Sequence, residues 1–431
     1  MLELKLYRRR LIDVMELTDL LCLMFQIMDS RSPLKYSPRM KSSVGRFLDL
    51  LSCILTCPLI VTSSMTVSTL MPLTPDTRTK LRKLCDMALV GPALGFFSLV
   101  LLPFAIFGFV LWILLNILCD SKNYSTVEIP SKENSEQKGE DKYSFSSMNI
   151  LLGQDAIGKF NNCSLVYNRI PKIAAEIRNQ EKYYIENLLM SNKKLTKSES
   201  VVSKFPRMDF ICFQEVFDRI HSLALISMLR KHYRHFIFDI GDNSLGTNCC
   251  LLNSGLMIAS KYPIMEVKFH PFSWKNSVWQ KGISYGVVTC KLDLGSYNVG
   301  LLSNLHTMAY EGPHHLIDAA LTEVKDVVNK FRKENVRVTE KIKFDVICGD
   351  FNMDNMSPCD IVAGNNDLFS EYRDIAGVKI PGQDQVLDIC FVFDVNIDLL
   401  SGLGHRHRDE TADPQYSGDG RQRKLQEDPD R

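Results

Sequence analysis

From Met87 to Cys119 the chain reads MALVGPALGFFSLVLLPFAIFGFVLWILLNILC, more than thirty residues without one charge. A helix crosses a bilayer in roughly 20 such residues, so this run exceeds one crossing. With Pro92 and Pro103 inside it, either a kinked hairpin or a tilted crossing is open. A weaker apolar stretch, LLSCILTCPLIVTSSMTVSTLMPL from Leu50 to Leu73, is diluted by Ser and Thr and interrupted by Pro58. It can span, dip in, or lie on a surface. Between the two lie Lys80, Arg82 and Lys83 beside Cys85, a basic cluster suited to anionic phospholipid headgroups, with a thiol placed for acylation. That charge suggests a cytoplasmic loop.

The first forty residues contain Arg8, Arg9 and Arg10 together with Glu3, Asp13, Glu16 and Asp19, and lack a compact apolar core with a small-residue cleavage site. Neither a signal peptide nor a mitochondrial presequence is expected. With 51 basic against 50 acidic residues, the net charge of +1 gives no global field that would draw the chain onto nucleic acid. The thirteen cysteines are odd in number and scattered through apolar stretches, which points to a reduced, cytosol-facing compartment.

These features divide the chain into an N-terminal extension (1–43), a membrane-anchoring region with two apolar segments (44–119), a polar linker (120–141), a large domain (142–400) with a flexible insertion near 191–203, and a polar tail expected to be disordered (401–431). Within the large domain, short apolar strands are expected at Phe145–Leu152, Asp209–Phe213, Phe236–Ile240, Leu256–Ser260, Val287–Leu292, Val299–His306 and Phe344–Cys348. Helical patterns fall at Ala174–Asn187, Ile220–His232 and Pro313–Glu334. Strands in series with helices outside predict a layered α/β sandwich.

Several of these strands end in polar, metal-compatible residues. Met148-Asn149 closes the first, although an Asn alone there is more often a turn former. Asp209-Phe210-Ile211-Cys212-Phe213-Gln214-Glu215 delivers an amide and a carboxylate at the end of the second, as a hard cation such as Mg²⁺ requires. Ser303-Asn304-Leu305-His306 brings a histidine to a further strand end. Phe344-Asp345-Val346-Ile347-Cys348-Gly349-Asp350-Phe351-Asn352 is the most specific motif, with Asp350 and Asn352 two apart and able to share one side of an extended segment. Such a pair can orient a water and hold a phosphoryl oxygen.

This ordered set resembles the endonuclease/exonuclease/phosphatase superfamily, whose members share a two-sheet sandwich flanked by helices, the DNase I-like fold. The segments Cys212–Asp218, Leu252–Met265 and Phe344–Asn352, with the apolar N-terminal helices that precede them, are similar to the membrane-anchored neutral sphingomyelinases. The resemblance covers roughly Val44 to Gln385. It implies Mg²⁺-dependent hydrolysis of sphingomyelin to ceramide and phosphocholine at a membrane whose identity, whether Golgi/plasma membrane, endoplasmic reticulum or mitochondrion, is unresolved.

By the same resemblance Glu215 is the principal Mg²⁺ ligand with Asn149 assisting, Asp350 and Asn352 organise water and phosphate, and His306 contacts the phosphoryl group. Lys281 matches a lysine of the family's switch loop, whose acidic partner five residues earlier is Asn276 here. The family closes its catalytic domain on a strand carrying Ser-Asp-His, whose histidine is the general base. No Asp-His pair occurs in this sequence, and His405 and His407 lie in the tail. The expectation is therefore of a C-terminally truncated product. A catalytically silent membrane-tethered scaffold or lipid-binding homologue, and a phosphodiesterase of the same superfamily with another substrate, stay open as alternatives.

Overall fold

The structure, a computed structural model of the chain, describes residues 34–71, 76, 78–118, 122–130, 142–153, 169–177, 208–242, 252–273, 282–308, 315–353, 361–374 and 390–393. Two six-stranded sheets pack face to face. The first contains β1 (Lys35–Ser37), β2 (Ser125–Glu128), β3 (Phe145–Asn149), β4 (Phe210–Gln214), β5 (His235–Phe238) and β6 (Met257–Ser260), in the order β1-β2-β5-β6-β4-β3. The second contains β7 (Ile264–Pro271), β8 (Gly286–Asp293), β9 (Asn298–His306), β10 (Lys341–Asp350), β11 (Arg373–Asp374) and β12 (Cys390–Phe393), in the order β11-β12-β10-β9-β8-β7.

The central strands are buried on both faces, which is why they read as nearly unbroken apolar runs. Side chains alternate across a strand, so Phe145, Phe210, Cys212, Leu302, Phe344, Val346 and Cys348 meet between the sheets. Ile211 and Phe213 turn outward, under Leu223 and Ile226 of α4 (Arg219–Leu229). On the far side, Leu305 and Ile347 lie under Leu321 and Val324 of α5 (Leu316–Asn335). Phe344 is at the centre of the interior, with its ring 4.8 Å from Phe145, 5.1 Å from Tyr143 and 5.3 Å from Phe210. Gly300 on β9 leaves room for it, since a Cβ there would fall 2.2 Å from the ring.

The expected sandwich is present, and its seven anticipated strands are found with their ends moved by a few residues. Others were not anticipated. Within the stretch read as linker, β2 pairs with β1 and β5, because Ser125 and Val127 face inward while Thr126 and Glu128 stay half-exposed. β1 likewise lies inside the stretch read as an extension. β7 was missed because it is an edge strand, with Met265 and Glu266 exposed, and charge on an edge obscures the apolar alternation. Residues 169–177 are helical, starting five positions before the helix expected at Ala174–Asn187, whose remainder from 178 lies outside the described residues. The expected insertion near 191–203 and the tail at 401–431 lie outside the described residues.

The apolar N-terminal segments form two helices long and apolar enough to cross a membrane. α1 (Ser43–Leu70) starts under a Ser42 cap and, at 28 residues, is about 42 Å long at 1.5 Å per residue. The return helix runs from α2 (Lys80–Cys85) through a π-helical turn (Asp86–Val90) into α3 (Gly91–Leu118). The wide turn lies just ahead of Pro92, which cannot donate an N–H to an ordinary helical ladder.

The two helices are antiparallel and touch through small and hydroxylated residues. Ser52 Oγ donates to Gly108 O at 2.8 Å, Ser98 Oγ donates to Thr62 Oγ1 at 3.2 Å, and a Cβ on Gly108 would lie 2.7 Å from Leu55 Cβ. Small residues at such a contact let helix backbones approach in lipid. The hairpin is stitched to the sandwich at both ends: β1 precedes it, β2 follows it, and the two pair with each other. Arg219 at the start of α4 adds an ion pair to Asp49 of α1, and its Nη2 donates to Tyr36 OH at 2.8 Å. Burial opposes the Arg219 charge, but Tyr36, Asp49 and Asp239 hold its pKa well above the ordinary value.

Two outcomes test this packing. Phe344→Ala is expected to lower the stability of the sandwich by about 3–5 kcal/mol in chemical denaturation, by removing the ring on which both sheets close. A Thr62→Cys/Ser98→Cys pair should form an intrachain cross-link under mild oxidation. Adding Gly108→Leu should suppress that cross-link; if it persists at full yield, the close approach at Gly108 does not set the hairpin.

Candidate metal and phosphodiester site

β3 and β4 run parallel, as do β9 and β10, and each pair brings its carboxyl ends to the same edge of the sandwich. Inward-facing positions therefore change character along each strand. In β3 the series is Phe145, Ser147, Asn149; in β4, Phe210, Cys212, Gln214; in β9, Leu302, Asn304, His306; in β10, Val346, Cys348, Asp350. The interior is apolar at depth and polar at one rim, where open sheets commonly bind ligands.

Strict alternation would turn Glu215 away, since Gln214 already faces inward. Glu215 has φ +62°, and this left-handed residue ends the extended strand and returns the carboxylate to the rim. Gly255 makes the bend possible. A Cβ there would lie 3.0 Å from Glu215 Cα and 2.9 Å from the Phe217 ring, and Gly255 O accepts from Val216 N–H at 2.8 Å. The Gly-Asp motif solves a similar crowding: a Cβ on Gly349 would fall 2.3 Å from Leu305 O.

Glu215, His306 and Asp350 converge, with one potential ligand atom from each lying within 4.8 Å of the others. Asn149 lies between the two carboxylates. Its Nδ2 donates to Glu215 Oε1 at 2.8 Å and to Asp350 Oδ2 at 2.7 Å, while its Oδ1 accepts from Leu151 N–H at 3.3 Å. His306 is buried, with Nε2 3.9 Å from Asp350 Oδ2 and with Nδ1 lacking any hydrogen-bond partner. Among the described residues, no lysine or arginine pairs with Glu215 or Asp350. Two carboxylates, an amide and an imidazole with an orphaned nitrogen form a donor set that suits a divalent cation.

Asn352 differs from its expected geometry. It does not continue an extended segment beside Asp350, because its φ of +48° turns the chain. Its backbone N–H donates to Asp350 Oδ1 at 2.9 Å and its Nδ2 donates to Thr307 O at 2.9 Å, tying the end of β10 to the end of β9. Thr307 closes the same corner through a hydrogen bond from its hydroxyl to Phe351 O. Asn352 thus shapes the Asp350 loop as well as bordering the site.

Two neighbours were not singled out in the sequence. Tyr285 packs edge-on against His306, with ring centroids 5.2 Å apart. Burial, and then the charges of Glu215 and Asp350, push its hydroxyl up to about 12, so it is a neutral donor at the rim. Asn304, fully buried, bonds across to the first sheet. Neither has a sequence signal of its own beyond a polar residue inside an apolar strand. Lys281, Asn276, His405 and His407 lie outside the described residues.

The fold and site define the class: a two-sheet α/β sandwich with an acidic, histidine-containing cluster at the carboxyl ends of strands from both sheets. No protein-family profile matches the chain. Sphingomyelin phosphodiesterase 3 of Homo sapiens is 32% identical over 207 residues, covering 44% of this chain and 31% of that protein. Sphingomyelin phosphodiesterase 5 of Danio rerio is 33% identical over 180 residues, covering 39% of this chain and 33% of that protein. Among solved structures, a β-hairpin deletion mutant of beta toxin from Staphylococcus aureus superimposes with a TM-score of 0.41 at 16% identity, covering 66% of this chain and 100% of that one. The homologues of this chain are sphingomyelin phosphodiesterases, and the chain spans about a third of the length of the two named here.

The Asn149 bridge gives a direct test. Measured in chelator, Asn149→Leu is expected to be less stable than wild type by about 1.5–3 kcal/mol, because two facing carboxylates lose their shared donor. Added Mg²⁺ should recover part of the loss. Equal stability of the two proteins in chelator would show that the bridge has no weight.

Proposed function

We propose that this chain is a membrane-tethered, Mg²⁺-dependent phosphodiesterase that hydrolyses sphingomyelin to ceramide and phosphocholine. The observation that carries the reading is the convergence of Glu215, His306 and Asp350 around Asn149. The substrate comes from the homologues, and the apolar hairpin, which would hold the domain beside lipid, supports it.

In this reading Glu215 is the principal cation ligand, with Asn149 assisting. A divalent cation held there would offset the negative charge that develops on the phosphoryl oxygens. Asp350 orients a water along the line of attack, and Asn352 fixes the Asp350 loop and borders the phosphate. His306 contacts a phosphoryl oxygen. The water oxygen forms the new bond to phosphorus as the bond to the ceramide oxygen breaks, and the water proton passes to the departing ceramide. Lys281 is proposed as a further phosphate contact on the strength of the family resemblance.

Because β1 and β2 pair at the base of the hairpin, both helix ends leave on one side of a bilayer, the side of the catalytic domain. We place that side in the cytosol, consistent with the buried free thiols Cys212, Cys290 and Cys348. Lys80, Arg82 and Lys83 sit at the opposite end of the hairpin, so with the catalytic side in the cytosol a hairpin that spans the bilayer carries them to the far side, against the cytoplasmic loop that their charge suggests. There Lys83 pairs with Asp76, while Arg78 bridges Asp76 and Asp86. Anionic phospholipid is the proposed partner of the remaining charge. Nucleic acid is not proposed as a partner.

A second reading is a catalytically silent, membrane-tethered homologue. One assay separates the two. Phosphocholine release from sphingomyelin in mixed micelles should require Mg²⁺, and Glu215→Gln should reduce it at least about 100-fold. Release that is undetectable from a folded, Mg²⁺-binding wild-type chain would establish the silent reading. Cleavage of DNA or a soluble inositol phosphate with sphingomyelin untouched would overturn the substrate assignment.

A further inference from the structure

Directly beneath the candidate site, the sandwich contains a layer of polar side chains that its chemistry does not use. Gln214 and Asn304 are fully buried and Ser147 nearly so. Asn304, on β9 of the second sheet, reaches across to the first. Its Nδ2 donates to Phe213 O of β4 at 3.0 Å and to Met257 O of β6 at 3.2 Å. Both partners are carbonyls and can only accept, so the amide orientation is fixed and Oδ1 must face Gln214. Gln214 Nε2 donates to that oxygen at 2.7 Å and to Ser147 Oγ of β3 at 3.2 Å.

The position of this layer is informative. Phe213 and Met257 are the last pair of the β4–β6 ladder. Two residues beyond Phe213 is Glu215, two before Met257 is Gly255, two beyond Ser147 is Asn149, and two beyond Asn304 is His306. Directly and through Gln214, one amide therefore ties together the ends of β3, β4 and β9, which present Asn149, Glu215 and His306, and the start of β6, which follows Gly255, while Asp350 is carried beside His306 by the β9–β10 ladder. The cost of burying it is met only because every polar atom has a partner.

We propose that Asn304, acting with Gln214 and Ser147, is a positioning residue: it sets the register of one sheet against the other so that Glu215 and Asn149 meet His306 and Asp350 at cation-binding distance. The proposal rests on the reading of the site as a divalent-cation site. It assigns to Asn304 no contact with cation or substrate. Supporting groups of this kind typically alter metal affinity or activity by about 10- to 100-fold when removed.

The test uses the full chain in detergent, with Mn²⁺ as the probe ion, titrated by electron paramagnetic resonance, and with amide hydrogen exchange measured in parallel without metal. Asn304→Leu keeps the volume and removes the amide. Ser147→Ala removes one acceptor and serves as the milder variant should the first fail to fold. Val346→Ala, deeper in the same inter-sheet layer, is the destabilised control. Asn304→Leu is expected to weaken Mn²⁺ binding about tenfold or more, and Ser147→Ala by less. In both variants exchange should accelerate at the Ile150, Leu152 and Val216 amides, which bond to Gln214 O, Glu215 O and Gly255 O. In Val346→Ala, Mn²⁺ affinity and those amides should match wild type. Unchanged affinity and unchanged exchange in the Asn304 and Ser147 variants, or equal loosening in the control, would overturn the proposal. A wild-type chain that binds no Mn²⁺ would instead overturn the cation reading, and selective acceleration at the three amides would then still support the positioning role.

Discussion

The arrangement depends on two parallel strand pairs, β3 with β4 and β9 with β10, facing each other from different sheets with their carboxyl ends at one rim. An all-antiparallel meander would alternate strand directions and scatter the residues following each strand to opposite ends of the sandwich. Here Asn149, Glu215, His306 and Asp350 are gathered within a few ångströms although more than 200 positions separate the first from the last. The aromatic layer around Phe344 supplies the cohesion and the amide layer around Asn304 the alignment. Apolar contact is non-directional and does not by itself fix a register between sheets, whereas a buried amide with two carbonyls and one donor to satisfy does.

Local backbone exceptions refine this frame. Glu215 and Asn352 are left-handed where an ordinary strand would continue: the turn at Glu215 returns to the rim a carboxylate that alternation would have sent away, and the turn at Asn352 ties the end of β10 to the end of β9. Unfavourable conformations persist where surrounding contacts over-determine them: Glu215 O accepts from Leu152 N–H, and Asn352 Nδ2 donates to Thr307 O. Gly255 and Gly349 supply the space. The rim combines rigid strand ends with short strained turns, which suits groups that must stay in place without a cation to hold them.

The hairpin belongs to the same mechanical unit. β1 and β2 add its two ends to the first sheet, and Arg219 joins α1 to the helix that follows the Glu215 loop. Arg219 lies four positions after Glu215, so the hairpin contact and the acidic rim share a short stretch of chain.

The amino-acid sequence by itself determined the sandwich class, the apolar strands, both long helices and the residue types at the strand ends, because each is a local pattern: alternation, unbroken apolarity, or a glycine before an acid. It did not disclose β2, whose four residues look polar until β5 lies beside them, nor β7, whose exposed edge hides its apolar face. It offered Asp350 and Asn352 as an extended pair, and only the crowding of Leu305 against Gly349 and the pull of Thr307 on Asn352 decided otherwise. It left open whether the long apolar run folds back on itself or continues as one helix; the structure forms it as the single helix α3, which lies antiparallel to α1 through contacts between residues far apart in the chain, such as Ser52 with Gly108. Asn304 was invisible for the same reason: a lone amide in an apolar strand acquires meaning only from the carbonyls of the opposite sheet. Periodicity is written in neighbouring residues, whereas register, bends and buried polar partners are properties of chains brought together.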